Sequence, residues 1–391
     1  MARRVGGTWK ALAMRVVVSP DSFKGTLDAA AAAEALAQGW SRVRPDDEVV
    51  IIPLADGGEG TLEALGAGLP AECLRTAVVT GPGGQPVEAG WLLRPDGTAV
   101  VELARAAGLP QLDPLDPLGA TTFGVGELLR MAAADPATTR VLLGLGGSAT
   151  TDGGSGALAA LGARFLDADG FELPRGGGAL SRVAAIDLSG VSAAPPDGLD
   201  CLVDVTNPLV GARGAAAVFG PQKGACAADV AALDAALAHF ADVLGRVAPH
   251  VLDRDTPGAG AAGGTAYGLL SCWPGRMVPG SRAVAEAAGL AAALAAADVA
   301  ITGEGRFDDQ SVHGKVVGNV LEMAAASGTA VAVVAGAVAA APRPPAVAAV
   351  SLTDLAGSAE ASMAECARWL VVAGETLARD RTLLDAAAPG R

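Results

Sequence analysis

RVVVSP at Arg15–Pro20, DSFKGT at Asp21–Thr26, the Ala-rich segment Leu27–Trp40, and EVVIIPL at Glu48–Leu54 running into ADGGEGT decide the fold. Each apolar run is short, β-branched and closed by Pro or an acidic, Gly-rich loop, which reads as a buried strand. Strand, loop, helix, strand, loop opens a doubly wound α/β unit with a parallel sheet. The same texture returns near the C-terminus. There a helix over Ala283–Ala297 feeds a strand at Asp298–Thr302 and a loop, GEGRFDDQS. A helix over Lys315–Ala326 then feeds Thr329–Ala335, and Ala346–Leu352 reads as a last strand.

Between these ends the pattern changes. Thr76–Val101 alternates and is cut by GPGGQP and RPDG, as antiparallel strands and their turns are. Arg140–Leu145 and Leu202–Val205 read as strands entering Gly-rich loops, and Ala227–Leu252 as a long helix. A chain of 391 residues exceeds what one hydrophobic core usually organises. The expectation is one α/β domain built from both ends, 14–76 with 290–385, and an inserted mixed α/β domain over 77–289. Residues 1–13 read as a disordered leader and 386–391 as a frayed tail.

Composition narrows the function. A net charge of −14 and only 3% aromatics argue against nucleic acid, anionic membranes and a base-stacking platform. No apolar run reads as a membrane span. Five scattered cysteines without a C-x-x-C pair fit reduced thiols, hence a cytoplasmic location. Of 28 basic residues only Lys10, Lys24, Lys223 and Lys315 are lysines, and the last three sit in Gly-bearing turns. A retained Lys marks a place for a compact ammonium rather than a planar fork.

Familiar nucleotide signatures fail. Gly314-Lys315 lacks the rest of a P-loop. Gly258, Gly260 and Gly263 match the dinucleotide spacing but follow a polar run, not a strand. Gly144-x-Gly146-x-x-Ala149 does follow a strand, and it keeps an NAD-dependent oxidoreductase open as a rival. Physically, GGSATTDGGSGA is better read as a phosphate cradle. Gly146, Gly147, Ser148 and Thr150 offer backbone N–H groups and hydroxyls ahead of a helix. Acidic residues follow strand after strand: Asp21, Asp56 with Glu59, Asp152, Asp204, and Glu304 with Asp308 and Asp309. Ligands of open α/β sheets sit at those strand ends, and Mg²⁺ takes one or two such carboxylates plus phosphate and water. His313 reads as polar lining, and the three histidines form no cluster.

Seven stretches in order carry a resemblance: SPDSFKGTL, PLADGGEGT, LGGSATTDGGSGAL, DVTNPLVG, GARGAAAVFGPQKGA, PGAGAAGGTAYGLL and ITGEGRFDDQSVHGK. From about Met14 to Leu377 the chain resembles the bacterial (type-1) glycerate kinase family. The resemblance implies ATP-dependent phosphorylation of D-glycerate, to 2-phosphoglycerate in most members. It also implies a discontinuous flavodoxin-like domain, an inserted mixed-sheet domain, and an active cleft between them. Two positions depart from the family pattern: Thr151 stands for its usual Asn and Thr206 for its second Asp, which concentrates a base role on Asp204.

On this reading Asp204 and Lys24 are catalytic, and Asp21, Ser22 and Asn207 bind substrate. Gly146, Gly147, Ser148, Thr150, Arg306 and Lys315 bind nucleotide, and Asp56, Glu304 or Asp308 hold the metal. The ligands expected are glycerate, ATP and Mg²⁺, with a homodimer allowed. A 3-phosphoglycerate-forming or other hydroxy-acid kinase, and a ligand-binding protein without turnover, stay open.

Overall fold

The apolar runs become strands in the computed structural model, which describes residues 2–5, 8–11, 13–250, 252–308, 311, 315–339 and 346–387. In chain order the strands of the two main sheets are β1 (Arg15–Val18), β2 (Glu48–Ile51), β3 (Leu74–Thr80), β4 (Pro86–Leu93), β5 (Thr98–Glu102) and β6 (Arg140–Gly144). They continue as β7 (Leu199–Leu202), β8 (Gly275–Val278), β9 (Val299–Phe307), β10 (Ala330–Val338) and β11 (Ala346–Ser351). Ala2–Val5 and Thr8–Ala11 pair as a separate antiparallel hairpin where a leader was expected. Among the described residues no helix is long and apolar enough to cross a membrane. Asp309 and His313 lie outside the described residues.

By packing, the chain divides into two units: Met1–Asp56 with Glu63–Ala67 and Ser281–Arg391, and Gly57–Leu62 with Gly68–Gly280. The first is built on a five-stranded sheet in the order β11-β10-β9-β1-β2, parallel at every pairing. Counted along this unit the order is 2-1-3-4-5, the flavodoxin-like winding, and it reverses between β1 and β9. Val16, Val18, Val299, Ile301, Ala332 and Val334 are buried in one core cluster, and the alternate residues Val17, Ala300, Val331 and Val333 are buried on the other face, so these strands read as continuous apolar runs.

The helix Ala29–Val43 starts where Asp28 accepts a bond from the Ala31 N–H at 2.7 Å. It packs against Cys366–Leu377 at backbone distance. A Cβ on Gly39 would stand 2.0 Å from the Val371 carbonyl, and one on Gly374 would stand 2.3 Å from that of Leu36. Trp40, fully buried beside this contact, donates its indole N–H to Asp47 at 3.0 Å.

The second unit holds a six-stranded mixed sheet in the order β8-β7-β6-β5-β4-β3. β5 to β8 pair in parallel, while β3 and β4 form the antiparallel edge that the alternation predicts. Phe240, Leu237, Leu143, Val101 and Trp273 lie in its core.

Four expectations need correction. The long helix expected over Ala227–Leu252 ends at Leu244. GEGRF is not a loop: Gly303–Phe307 continues β9, where Glu304 pairs with Ala335 and Arg306 with Ala337. Gly and Glu are poor strand formers, but a neighbouring strand already in place supplies the partners. The expected helix Ala283–Ala297 is two, Gly280–Ala287 and Leu290–Ala295, because Gly289 between them turns left-handed at φ 73°. β7 runs over Leu199–Leu202 rather than Leu202–Val205, so Asp204 lies beyond the strand end.

The helix contact gives a stability prediction. Gly39→Val should cost about 3 kcal/mol, the upper range for overpacking a tight interior. Urea unfolding of the two proteins checks it, and equal midpoints would contradict the packing described.

Candidate functional site

In the first unit the chain turns sharply after β1, and buried hydroxyls fix the strand ends. Ser19 donates to the Ile52 carbonyl at 2.8 Å, and Thr302 donates to the Ser19 carbonyl at 2.9 Å. The Asp21 N–H reaches the Gly303 carbonyl at 2.8 Å, which ties the loop to β9. Phe23 and Leu27 close a tight turn by exchanging backbone bonds of 2.8 and 3.1 Å, with Gly25 at φ 81°. That turn presents Lys24, whose ammonium donates to Asp56 at 3.0 Å.

A cavity of about 370 Å³ opens at these strand ends, and its charged lining is Asp21, Lys24, Asp56, Glu304, Arg306 and Lys315. The structure thus brings together residues predicted from three separate motifs, and Ser22 also lines this space. Asp308 lies alongside, its carboxylate 3.5 Å from Arg306 and its N–H bonded to the Ser311 hydroxyl at 3.0 Å.

The cluster is electrostatically tense. Burial first, then the charge of Asp56, pushes the Asp21 carboxyl up to about 6, against Ser22 and Lys24. Burial likewise raises Glu304, and Asp21 and Asp308 add to it while Ser311 and Lys315 oppose. Burial works against the Lys24 charge, but Asp56 outweighs it and the ammonium is held above its usual range.

Glu304 is 9% exposed and its Oε1 is buried with no hydrogen-bond partner. A buried carboxylate oxygen without a donor is costly, and a cation fits it. Among the described residues no group of three or more potential ligands converges. Asp56, Glu304 and Asp308 therefore form no closed cage. One or two of them would hold Mg²⁺ together with phosphate oxygens and water, the usual arrangement for that ion.

In the second unit Gly146 is half-buried, Gly147 is exposed at φ 73°, and Ser148 and Thr150 are buried. The hydroxyls of Ser148 and Thr150 lie 2.9 Å apart, bonded to each other. A Cβ on Gly146 would meet Gly58 at 2.6 Å, so this glycine permits a close backbone approach. Fully buried Asp152 accepts from the Thr122 N–H at 2.8 Å and its hydroxyl at 2.9 Å, and from Gly154 and Gly156 at 3.1 and 3.3 Å. Its carboxylate thus takes the N-terminus of the helix Ser155–Leu161, where a dinucleotide pyrophosphate would have to sit. Asp204 is exposed and accepts from the Gly280 N–H at 2.8 Å. Asn207 donates to the Arg213 carbonyl at 2.8 Å.

Sequence reasoning missed two residues here. Glu102, 1% exposed at the end of β5, accepts from the Thr61 N–H at 2.7 Å and pairs with Arg105 at 2.9 Å, anchoring the end of the GGEG loop. Burial pushes its carboxyl up to about 7, against the N–H groups of Leu62, Thr61 and Gly60. An acid closing the run TAVVE was the available signal. Lys223 was noticed as a retained Lys but not placed. It is buried, donates to the Thr150 carbonyl at 2.5 Å, and burial lowers it to about 8 despite the charge of Asp152.

The Asp21 shift sets a pH prediction. A carboxyl raised in the folded state contributes its stability below about 3.8 and loses it as pH rises through about 6. Asp21→Asn should therefore stabilise the ligand-free protein at pH 8 by about 2–3 kcal/mol, and change little at pH 4. Thermal unfolding at both pH values checks this; an equal effect at the two would contradict it.

Comparison with known proteins agrees with this architecture. Residues 16–382 match a family model described as the glycerate kinase family. A glycerate 2-kinase of Escherichia coli (strain K12) is 44% identical over 310 residues, 78% of this chain and 80% of that protein. A glycerate kinase of Bacillus subtilis (strain 168) is 46% identical over 307 residues, 77% of this chain and 79% of that protein. A crystal structure from Salmonella typhimurium LT2, whose assignment as glycerate kinase 2 is provisional, has a TM-score of 0.80 at 37% identity. It covers 94% of this chain and 98% of that one. An extended match in sequence and a common fold, carried by both units, lead to one conclusion: the chain is an enzyme and belongs to the glycerate kinase family.

Proposed function

We propose that the chain transfers the γ-phosphoryl group of ATP to D-glycerate in a Mg²⁺-dependent reaction that gives 2-phosphoglycerate. The observation that carries this reading is the charged lining of the first unit's cavity, where Lys24, Arg306 and Lys315 stand with half-buried Asp21 and Asp56 and with buried Glu304, whose Oε1 lacks a donor. The name of the Escherichia coli relative, glycerate 2-kinase, supports the 2-position.

Phosphoryl transfer depends on positioning and charge neutralisation more than on covalent chemistry. Bound Mg²⁺ supplies neutralisation of the phosphate oxygens. Lys24 and Arg306 offset charge on the transferred group, and Lys315 holds the nucleotide phosphates. Exposed Gly147 and its neighbour Gly146 offer backbone N–H groups to phosphate, while Ser148 and Thr150 keep that loop in shape. Asp21, Ser22 and Asn207 bind the hydroxyls of glycerate. The acceptor oxygen forms the new P–O bond as the bond to the leaving ADP oxygen breaks and ADP keeps the electron pair. Asp204 orients the hydroxyl and takes its proton.

Asp204→Asn should keep the bond from Gly280 and lower kcat about 10²–10⁴-fold, the usual worth of a positioned base. Circular dichroism would confirm an unchanged fold, and a loss below about tenfold would remove Asp204 from the base role. Lys24→Ala should lower kcat comparably; a raised KM with unchanged kcat would make Lys24 a binding residue only. Coupled ADP release with MgATP and D-glycerate tests the reaction, and phosphorus NMR reads the product. Phosphate on the 3-hydroxyl would overturn the 2-position, and turnover only with another hydroxy acid would replace the substrate.

A further inference from the structure

Lys223 carries an ammonium group into the interior of the second unit, where it is 2% exposed. Pro221–Lys223 is a single 3₁₀ turn, and Gly224, left-handed at φ 92°, ends it. Among the described residues the lysine side chain has one bond, to the Thr150 carbonyl at 2.5 Å. One charge acts on it, that of Asp152, whose carboxylate already meets four donors. Thr150 ends the loop that starts at Gly146, and the backbone bonds of that loop can be counted. Leu109 donates to the Gly147 carbonyl at 2.9 Å, Ala149 to the Ala107 carbonyl at 2.9 Å, and the Thr150 N–H to the Ser148 hydroxyl at 3.1 Å. Among the described residues nothing accepts from the N–H groups of Gly147 and Ser148. The Thr150 carbonyl has further close neighbours in the Ser148 hydroxyl, at 3.4 Å, and in Gly263, where a Cβ would stand 2.1 Å from it.

We propose that Lys223 is a positioning residue for phosphate: through the Thr150 carbonyl its ammonium holds the N–H groups of Gly147 and Ser148 in place, and its charge raises the affinity of that loop for an anion. The inference rests on the reading that this loop takes nucleotide phosphate, and it adds the residue on which that affinity depends.

An ammonium buried against a carbonyl alone is costly, and a Met of similar length would fill the space without that cost. Burial lowers the lysine to about 8 even with Asp152 acting on it, so the charge is kept against its surroundings. Packing therefore does not account for a lysine here. Nor does Asp152, since three backbone N–H groups and the Thr122 hydroxyl already answer its charge. An anion on the Gly147 and Ser148 N–H groups does account for it, because opposite charges in a region of low dielectric stabilise each other. The choice of Lys also fits a single carbonyl. A guanidinium fork would bring five donors to the same place and leave most of them buried without acceptors.

Calorimetric titration with magnesium tripolyphosphate, at pH 7 and pH 9.5, tests this in the native protein and in Lys223→Met. At pH 7 Lys223→Met should bind about tenfold more weakly than the native protein, the size of a charge–charge interaction across a partly buried site. A lysine lowered to about 8 is charged at pH 7 and neutral at pH 9.5, so the native affinity should fall about tenfold between the two. Lys223→Met should lack that fall. Glu102, raised to about 7, titrates in both proteins and drops out of the comparison. Equal affinities, with Lys223→Met merely unfolding at a lower temperature, would confine the lysine to offsetting Asp152 and overturn the inference while leaving the phosphate reading intact. The same pH dependence in both proteins would overturn it too. Failure of the native protein to bind tripolyphosphate would sink the phosphate reading, and the inference with it. Should Lys223→Met not fold, Lys223→Gln, which retains an N–H donor for the Thr150 carbonyl, serves the same comparison and should likewise lack the fall with pH.

Discussion

The carboxylate of Glu304, lowered into the end of a parallel sheet with one oxygen lacking a donor, is the constraint around which the first unit is arranged. β9 continues past the end of β1, and that extension carries Glu304 beside the loop of Asp21 and Lys24. Parallel strands of Val and Ala make this arrangement sustainable. They bury an apolar sheet on both faces, Val17, Ala300 and Val333 on one and Val18, Ile301 and Val334 on the other, and that burial offsets the cost of gathering three carboxylates at one place. Lys24 relieves part of that tension at Asp21, and Lys315 part of it at Glu304. In a protein of net charge −14, Lys24, Arg306 and Lys315 gather three cations at this one cavity.

The second unit solves a different problem, that of holding Gly-rich loops in one shape. Asp152 ties four donors and keeps the loop from Gly146 onward in register with the following helix. Lys223 supplies the opposite charge from a buried position and grips the Thr150 carbonyl. Removing either would leave the other charge buried and uncompensated. Glu102 does the same service for the loop that ends at Thr61. These acids look like the site acids in sequence, since each follows a strand or a Gly-rich turn. Their hydrogen bonds show that they build the scaffold.

That difference marks the limit of what the sequence made legible. The strands of RVVVSP and EVVIIPL, the helix after Asp28 and the antiparallel texture of the insert were readable because periodicity and Pro or Gly punctuation act locally. The convergence of Asp21, Lys24, Asp56, Glu304 and Arg306 was also readable, since Asp21, Lys24 and Asp56 follow β1 and β2 and Glu304 and Arg306 lie at the end of β9 in the same sheet. Gly303–Phe307 was misread because its strand state depends on β10, a partner recognised only after folding. The apolar lining of the cavity was invisible for a related reason. Leu352, Met363 and Cys366 come from segments without any motif, and ordinary apolar residues announce a core and a ligand wall alike.

The measurement that tests the central claim most directly is the Mg²⁺ dependence of ADP binding, by calorimetry, in the native protein and in Glu304→Gln. If the orphaned carboxylate oxygen is completed by the cation that accompanies phosphate, Mg²⁺ should strengthen ADP binding to the native protein. Glu304→Gln should lose most of that gain while still binding metal-free ADP. An undiminished Mg²⁺ effect in Glu304→Gln would contradict the account, because the buried acid would then serve the sheet and not the ligand.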